Sequence, residues 1–252
     1  MKIVSWFSCG AASAVATKIL LAKAQAKGWE VKVVRIVIAE EHEDNDRFSA
    51  DCEQWFGVPI VNLKSELYGS CQEVWQKRRY MSGVGGAACT AAMKRDVRKA
   101  FTDDWKPDLQ AFGYTVEERS RADTFRMNNP EIGLVCPLIV AGLTKADCHG
   151  MIAGARIEMA AMYLLGFPNN NCRGCVKDQS PRGWNLTRKH FPEIFEARAK
   201  LSRELGVRLV KLGAGDRERI YLDELPPDNF SGEIPDIECS LMCHLAEMDI
   251  AK

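Results

Sequence analysis

The chain opens on a short β-branched and aromatic run, residues 2–7, that breaks at Ser8-Cys9-Gly10. Residues 11–27 are strong helix formers, with Val15, Ile19 and Ala22 on one stripe, Lys23 and Lys27 near the end and Gly28 as a stop. Residues 31–39 form a nearly continuous Val/Ile run, the pattern of a strand buried on both faces. A helix over 47–56, ended by Gly57, and a short strand over 59–63 follow. Strand, helix, strand, helix, strand with short connections predicts parallel βαβ units of right-handed crossover.

Beyond residue 63 the pattern loosens. Residues 64–88 show no clear period, and Gly83, Gly85 and Gly86 mark a loop. Thr90 opens a basic helix over 91–103, and strands are expected over 109–114 and 134–139. Thr144 and Asp147 resemble a capping box, starting a helix that runs to about 165 and stops at Gly166 before Pro168. Residues 169–183 read as a polar loop, followed by a helix from Pro192 with Ile194, Ala197, Leu201 and Leu205 on one face. Residues 207–212 and 219–222 read as a hairpin, and an acidic tail follows from Pro226. The expected fold class is α/β, a Rossmann-like parallel five-stranded sheet flanked by helices. It divides into a part over 1–166 that carries the sheet and a helical, Cys-containing C-terminal part, 167–252.

Composition adds limits. A chain of 252 residues with 46% apolar and 27% charged side chains buries enough surface to need no staples. The 34 basic and 34 acidic residues cancel, which excludes a general polyanion binder. Charge is nevertheless segregated: residues 77–99 carry 7 Lys/Arg against 1 acid, and 173–219 carry 12 against 6, while 40–53 carry 7 acids against 1 Arg and 220–252 carry 8 against 1 Lys. Local anion binding is compatible with such a layout. The small apolar residues over 3–16 read better as strand, turn and helix than as a secretion signal. The longest apolar stretch, 151–166, contains Arg156 and Glu158, so no membrane span is expected. The ten cysteines are read as reduced thiols of a cytoplasmic protein, most of them small buried hydrophobes.

Ser8, Cys9, Gly10, Ala11, Ala12 and Ser13 join a strand to a helix N-terminus. There unpaired N–H groups and the positive end of the helix dipole face the carboxyl edge of a parallel sheet, and small side chains let a phosphate approach. The alternative is an ordinary βα turn. Glu40, Glu41, His42, Glu43 and Asp44 follow the second strand and reach the same edge, either as ligand contacts or as a solvated loop capping the next helix. Lys94, Arg95, Arg98 and Lys99 share a helix, and Arg119, Arg121 and Arg126 offer bidentate grips for phosphate or sulfate. Lys94 and Arg121 are the strongest candidates among them.

Ser8-x-Gly10-x-x-Ser13 after the first strand resembles the pyrophosphate loop of the adenine nucleotide α-hydrolase superfamily, usually Ser-Gly-Gly-x-Asp-Ser. Cys89-Thr90-x-x-Met93-Lys94 is similar to the Cys-Thr-x-x-Leu-Lys segment of its reductase-like members, and Gly113-Tyr114 with Glu117, Arg119 and Arg121 to the segment after the fourth strand. Asn170-Asn171-Cys172-Arg173-Gly174-Cys175-Val176-Lys177, Trp184-Asn185 and Phe191-Pro192-Glu193 resemble the phage and bacterial branch of phosphoadenylyl-sulfate reductase-like proteins. The resemblance spans most of residues 1–245. It implies an adenine nucleotide (ATP, or an adenylyl sulfate) bound through Ser8, Cys9, Gly10, Ala11, Ser13, Glu40, His42, Gly113, Glu117, Arg119 and Arg121. It implies sulfur chemistry with Cys89, Lys94 and Cys239 as catalytic residues. Ala12 stands where the family carries an Asp, which argues against Mg²⁺-assisted adenylation while leaving Mg²⁺ as a nucleotide counter-ion.

Cys172-x-x-Cys175 and Cys239-x-x-x-Cys243 are two close pairs whose four thiolates suit a [4Fe–4S] cluster or tetrahedral zinc; a redox dithiol is the third option. The resemblance favours the cluster. Glu238-Cys239-Ser240-Leu241, with His244 displaced, also resembles the terminal segment of sulfate reductases, where the Cys is the nucleophile. Three functions follow as expectations: ATP-dependent thiolation of a nucleic acid or small acceptor, reduction of adenylyl sulfate through Cys239, or a non-catalytic nucleotide-binding adaptor with structural zinc. A sulfur donor is implied by the first, and a homodimer is left open.

Overall fold

In the computed structural model, residues 1–83, 86–212 and 218–230 are described. The strands in chain order are β1 (Lys2–Trp6), β2 (Glu30–Ile36), β3 (Ile60–Leu63), β4 (Ser82–Gly83), β5 (Gly86–Ala87), β6 (Leu109–Ala111), β7 (Leu134–Val135), β8 (Val210–Lys211) and β9 (Arg219–Ile220). The helices are α1 (Ala11–Lys27), α2 (Asn45–Phe56), α3 (Cys71–Arg78), α4 (Asp96–Trp105), α5 (Arg119–Asn128), α6 (Pro137–Ala141), α7 (Lys145–Gly154), α8 (Ala161–Leu164), α9 (Pro181–His190) and α10 (Pro192–Glu204). Five strands form one all-parallel sheet in the order β3-β2-β1-β6-β7, a Rossmann-like α/β arrangement, as expected. The remaining two pairs, β4 with β5 and β8 with β9, are short antiparallel ribbons. Register is set by the Val/Ile runs: Ile3 pairs with Val31 on one side and Leu109 on the other, and Val33 pairs with Ile60. The chain builds outward from β1 to β3, then returns to the far side of β1 with β6. That reversal puts the carboxyl ends of β1 and β6 side by side, where open parallel sheets bind ligands.

Both faces of the sheet are covered, as its apolar strands require. On one face, Val15 and Ile19 of α1 meet Phe48 and Phe56 of α2, Leu138 of α6 and Ile152 of α7. On the other, Val4, Trp6 and Val34 meet Phe101, Trp105 and Phe112. A second core lies beyond the carboxyl edge and joins Ile38, Val74, Trp75, Met81 and Met93 to Trp184, Phe195, Leu201 and Leu222. Gly28 ends α1 with φ +65°, its N–H returning to Ala24 O and Gln25 O, as expected of a glycine helix stop. Among the described residues no helix is long and apolar enough to cross a membrane.

Four elements differ from the sequence expectation. The strand expected over 134–139 stops at Val135, because Pro137 begins α6. The helix expected from Thr144 to about 165 is broken after Gly154. Arg156 turns with φ +57°, Arg47 donates to Glu158 O (3.0 Å) and Met159 O (3.2 Å), and Asp44 accepts the Ala161 N–H that opens α8 (2.8 Å). α3 lies inside the stretch with no clear period; Ser70 caps it by accepting the Glu73 N–H, and its buried positions are Cys71, Val74 and Trp75. α9 begins at Pro181 in the expected loop, with Ser180 accepting the Gly183 N–H. The capping box of Thr144 and Asp147 forms as expected.

Ile152 is fully buried in the core that α7 shares with α1, whereas Val140 on α6 is 74% exposed. Ile152→Ala is expected to lower unfolding free energy by about 2–5 kcal/mol and Val140→Ala by less than about 0.5 kcal/mol. Urea unfolding followed by circular dichroism tests the difference; equal effects would contradict the packing described for α7.

Candidate functional site

The loop after β1 is held by its own side chains. The Ser8 N–H and hydroxyl both approach Ser13 Oγ (3.1 Å each), and that hydroxyl donates to Gly10 O (2.9 Å). Cys9 takes a left-handed conformation, φ +57°, that L-residues seldom adopt. Its thiol points inward, fully buried, and approaches Asn45 O at 3.7 Å. Burial pushes that thiol up to about 12, so Cys9 is a neutral packing group. The Ala11 N–H donates to Tyr163 Oη (3.3 Å), and the first-turn N–H groups of Ala12 and Ser13 have no acceptor within the helix. A Cβ on Gly113 would lie 2.7 Å from both Cα and N of Ser13. The end of β6 therefore touches the loop backbone, as the reversal of strand order requires.

The acidic segment after β2 is a structural knot. Glu41 and Asp46 pair with the buried Arg35 (3.4 and 2.9 Å), and Asp44 pairs with Arg47. His42 Nδ1 accepts the Asp44 N–H, and its ring stands edge-on to Phe191 at 5.8 Å. The buried Glu40 carboxylate faces α3 and α10: Oε1 accepts the Gln72 N–H (3.1 Å) and lies 4.0 Å from Arg198 Nη2. Glu40 and His42 thus have protein partners of their own. After β6, Glu117 accepts the Lys145 N–H at the start of α7, Arg119 is exposed on α5, and Arg121 pairs with Glu118 over the Tyr114 ring.

Four thiols gather beyond the loop. Cys71 begins α3, Cys89 precedes a π-helical turn (Thr90–Arg95), and Cys172 and Cys175 lie in the segment between α8 and α9. Cys71 is within hydrogen-bond reach of both Cys172 and Cys89, and Cys175 lies close enough to Cys172 and Cys89 to feel their charge. The hydrogen bond from Cys71 is the largest cause lowering the Cys89 thiol, with the Lys94 ammonium a lesser one, and the same two groups lower Cys172. Donation to these neighbours keeps Cys71 protonated, and burial raises Cys175. Lys94 comes from the π-helical turn, a local widening common at functional sites. Burial opposes its charge, but Cys172, Glu41, Cys175 and Cys71 outweigh burial and raise it.

All eight cysteines in the described residues are free thiols. The thiols meet pairwise about Cys71, and no three His, Cys, Asp or Glu side chains of the described residues already surround one ion position. Cys239 and Cys243 lie outside the described residues. Cys71, read in the sequence as a buried hydrophobe, is the thiol that joins the others. The Ser70-x-x-Glu73 capping pattern was the available signal for its helix. A cavity of about 570 Å³ opens beside the thiols; Cys172, Cys175, Lys177 and Arg121 contribute to its wall, and Trp184 and Phe167 to its apolar part. No protein-family model matches the chain, and the search of curated proteins returns no match.

Two predictions follow from the loop. Gly113→Ala forces the backbone at Ser13 to move. It is expected to cost about 1–3 kcal/mol of stability and to weaken any anion held by the loop at least tenfold, read by urea unfolding and by equilibrium dialysis with ATP. Wild-type behaviour in both would contradict the close approach. His149 on α7 packs against Tyr163 under the loop, its Nε2 without a hydrogen-bond partner. Burial, and then the Lys145 charge, lower its pKa to about 4. The folded state therefore binds this proton less readily than the unfolded chain, so its contribution is complete above the ordinary histidine value and fades as pH falls towards 4. The stability difference between wild type and His149→Gln should shrink steadily from pH 7 to pH 4.5; a constant difference would show that the ring titrates freely.

Proposed function

We propose that the chain is a phosphoadenylyl-sulfate reductase-like enzyme that binds an adenine nucleotide at the loop containing Ser8, Gly10 and Ser13 and carries out sulfur transfer at the thiols beyond it. The observation that carries this reading is the convergence of Cys71, Cys89, Cys172 and Cys175 with Lys94 on the loop side of the sheet, beside a cavity that also reaches Arg121. In this reading the loop N–H groups and the α1 dipole take the nucleotide phosphates, and Arg121 adds charge at the cavity wall. Lys94 stabilises negative sulfur in the resting protein. Cys71, Cys89, Cys172 and Cys175 would hold a [4Fe–4S] cluster, with zinc as the alternative ion. Such a cluster supplies an iron-based Lewis acid or sulfur-binding position. The acceptor enters through the cavity beside Cys172 and Cys175. Ala12 in place of an acid favours a nucleotide held without a loop-bound metal.

The full chain purified without oxygen, with iron, acid-labile sulfide and zinc measured together, tests the reading. Iron and sulfide in equal amounts, with thiolate-to-iron absorbance lost in each of Cys71→Ser, Cys89→Ser, Cys172→Ser and Cys175→Ser, is the expected result. Retention of the cluster in Cys71→Ser with its loss in Cys239→Ser or Cys243→Ser would move the ligand set to the C-terminal tail. Zinc alone would overturn the cluster and favour the adaptor. A metal-free protein that releases sulfite from adenylyl sulfate, and loses that activity in Cys239→Ser, would replace thiolation by reduction.

A further inference from the structure

We infer that Glu40 and Arg198, a buried pair behind the thiols, are positioning residues that hold Cys71 against Cys172 and so shape the four-sulfur site. The inference deepens the proposed function and rests on reading the thiols as one site. Glu40 touches the backbone on both sides of it. Its Oε1 accepts the N–H of Gln72, the residue after Cys71, at 3.1 Å, and its own carbonyl accepts the N–H of Arg173, the residue after Cys172, at 2.9 Å. The Arg173 side chain returns to that carbonyl through Nε at 3.4 Å. One residue at the end of β2 thus fixes two cysteines that are 101 positions apart in the chain.

Arg198 closes the arrangement from α10. Its Nη1 donates to Gln72 Oε1 (2.9 Å), its Nη2 faces Glu40 Oε1 at 4.0 Å, and its guanidinium lies 4.5 Å from the Trp75 ring centre. Arg198 is 3% exposed and Glu40 is 9% exposed. Burial lowers the Arg198 pKa, and the nearby Glu40 carboxylate opposes that shift only in part. A buried charge left without its partner is costly, so the pair holds its geometry and carries the cysteines with it. Neither residue touches a sulfur directly through a hydrogen bond in this arrangement, which makes their role one of placement.

The test uses the full chain with Glu40→Gln, which keeps the shape and removes the charge, Arg198→Lys, Arg198→Met, and Arg203→Met as a control. Arg203 lies on the same helix but pairs with Asp223 and Glu224 at the surface. Zn²⁺ titration gives affinity. In the metal-free protein, diamide gives proximity: it takes two electrons and two protons from a pair of adjacent thiols and leaves a disulfide, located by mass spectrometry. Wild type should form Cys71–Cys172 or Cys71–Cys89 links. Glu40→Gln and Arg198→Met should bind zinc about 10–100-fold more weakly and crosslink several-fold less, Arg198→Lys should recover part of both, and Arg203→Met should match wild type. If Arg198→Met does not fold, Glu40→Gln and Arg198→Lys decide by the same two readings. Folded variants that crosslink and bind zinc as wild type does would overturn the inference, as would a wild-type chain that forms neither link. A wild-type chain that crosslinks in a Glu40- and Arg198-dependent way but takes up neither zinc nor iron would sink the metal reading and leave the positioning role standing.

Discussion

Arg35 is the constraint around which the carboxyl edge is organised. It lies in β2, in the interior of the sheet, 4% exposed. A guanidinium in that position needs partners, and losing one costs about 3–5 kcal/mol. Glu41 and Asp46 supply them, so the acidic segment after β2 must fold back over its own strand. Once it does, Asn45 is fixed by Glu41, Asn170 donates to Asn45 Oδ1 and to Cys9 O, and Asp44 is free to cap α8. The segment folded over Arg35 thus also supplies the contacts to Cys9, to Asn170 and to the start of α8.

The same chain of dependence explains what local pattern conveyed and what it did not. The Val/Ile runs, the alanine-rich helix and Gly28 are local properties, and α1 spans the residues expected of it. Helix α3 is only eight residues long and buries three positions, Cys71, Val74 and Trp75, too few to stand out as a period among its polar residues. The expected helix from Thr144 to 165 contains Gly150 and Gly154 among its helix formers; it stops at Gly154, and the chain beyond is held by Arg47 and Asp44, which are remote in sequence. The residues 40–44 were legible as charged and near the ligand edge. Their partners, Arg35, Arg47 and Arg198, were not, because pairing is a tertiary fact.

The candidate site shows the same division. Spacing picked out Cys172 and Cys175 as a pair, and motif order picked out Cys89 and Lys94. Nothing in the neighbourhood of Cys71 advertises sulfur chemistry, and Arg198 sits on a helix that reads as an ordinary mixed-charge face. Chemistry separates the cysteines only when their surroundings are known. Cys9 and Cys89 each follow a short strand, yet Cys9 is fully buried and its thiol is raised by that burial, while Cys89 has a hydrogen-bond donor and a nearby ammonium. Thiolate character is a property of the environment, and here that environment is assembled from four separate stretches of chain.

Asn170 connects the two halves of the site. Its amide donates to the carbonyl of Cys9, at 2.5 Å, and to Asn45 Oδ1, at 2.8 Å, while Cys172 follows two residues later. The left-handed turn at Cys9 presents that carbonyl, so the conformation of the loop after β1 and the course of the thiol-bearing segment are set by the same contact. An Asn at this position has two donors and one acceptor oxygen. Both bonds use its Nδ2, and Oδ1 has no partner among the described residues. A side chain committed so fully on one end resists rotation, and it makes the loop and the thiol segment one mechanical unit: the loop cannot change its turn without carrying the approach to Cys172 with it.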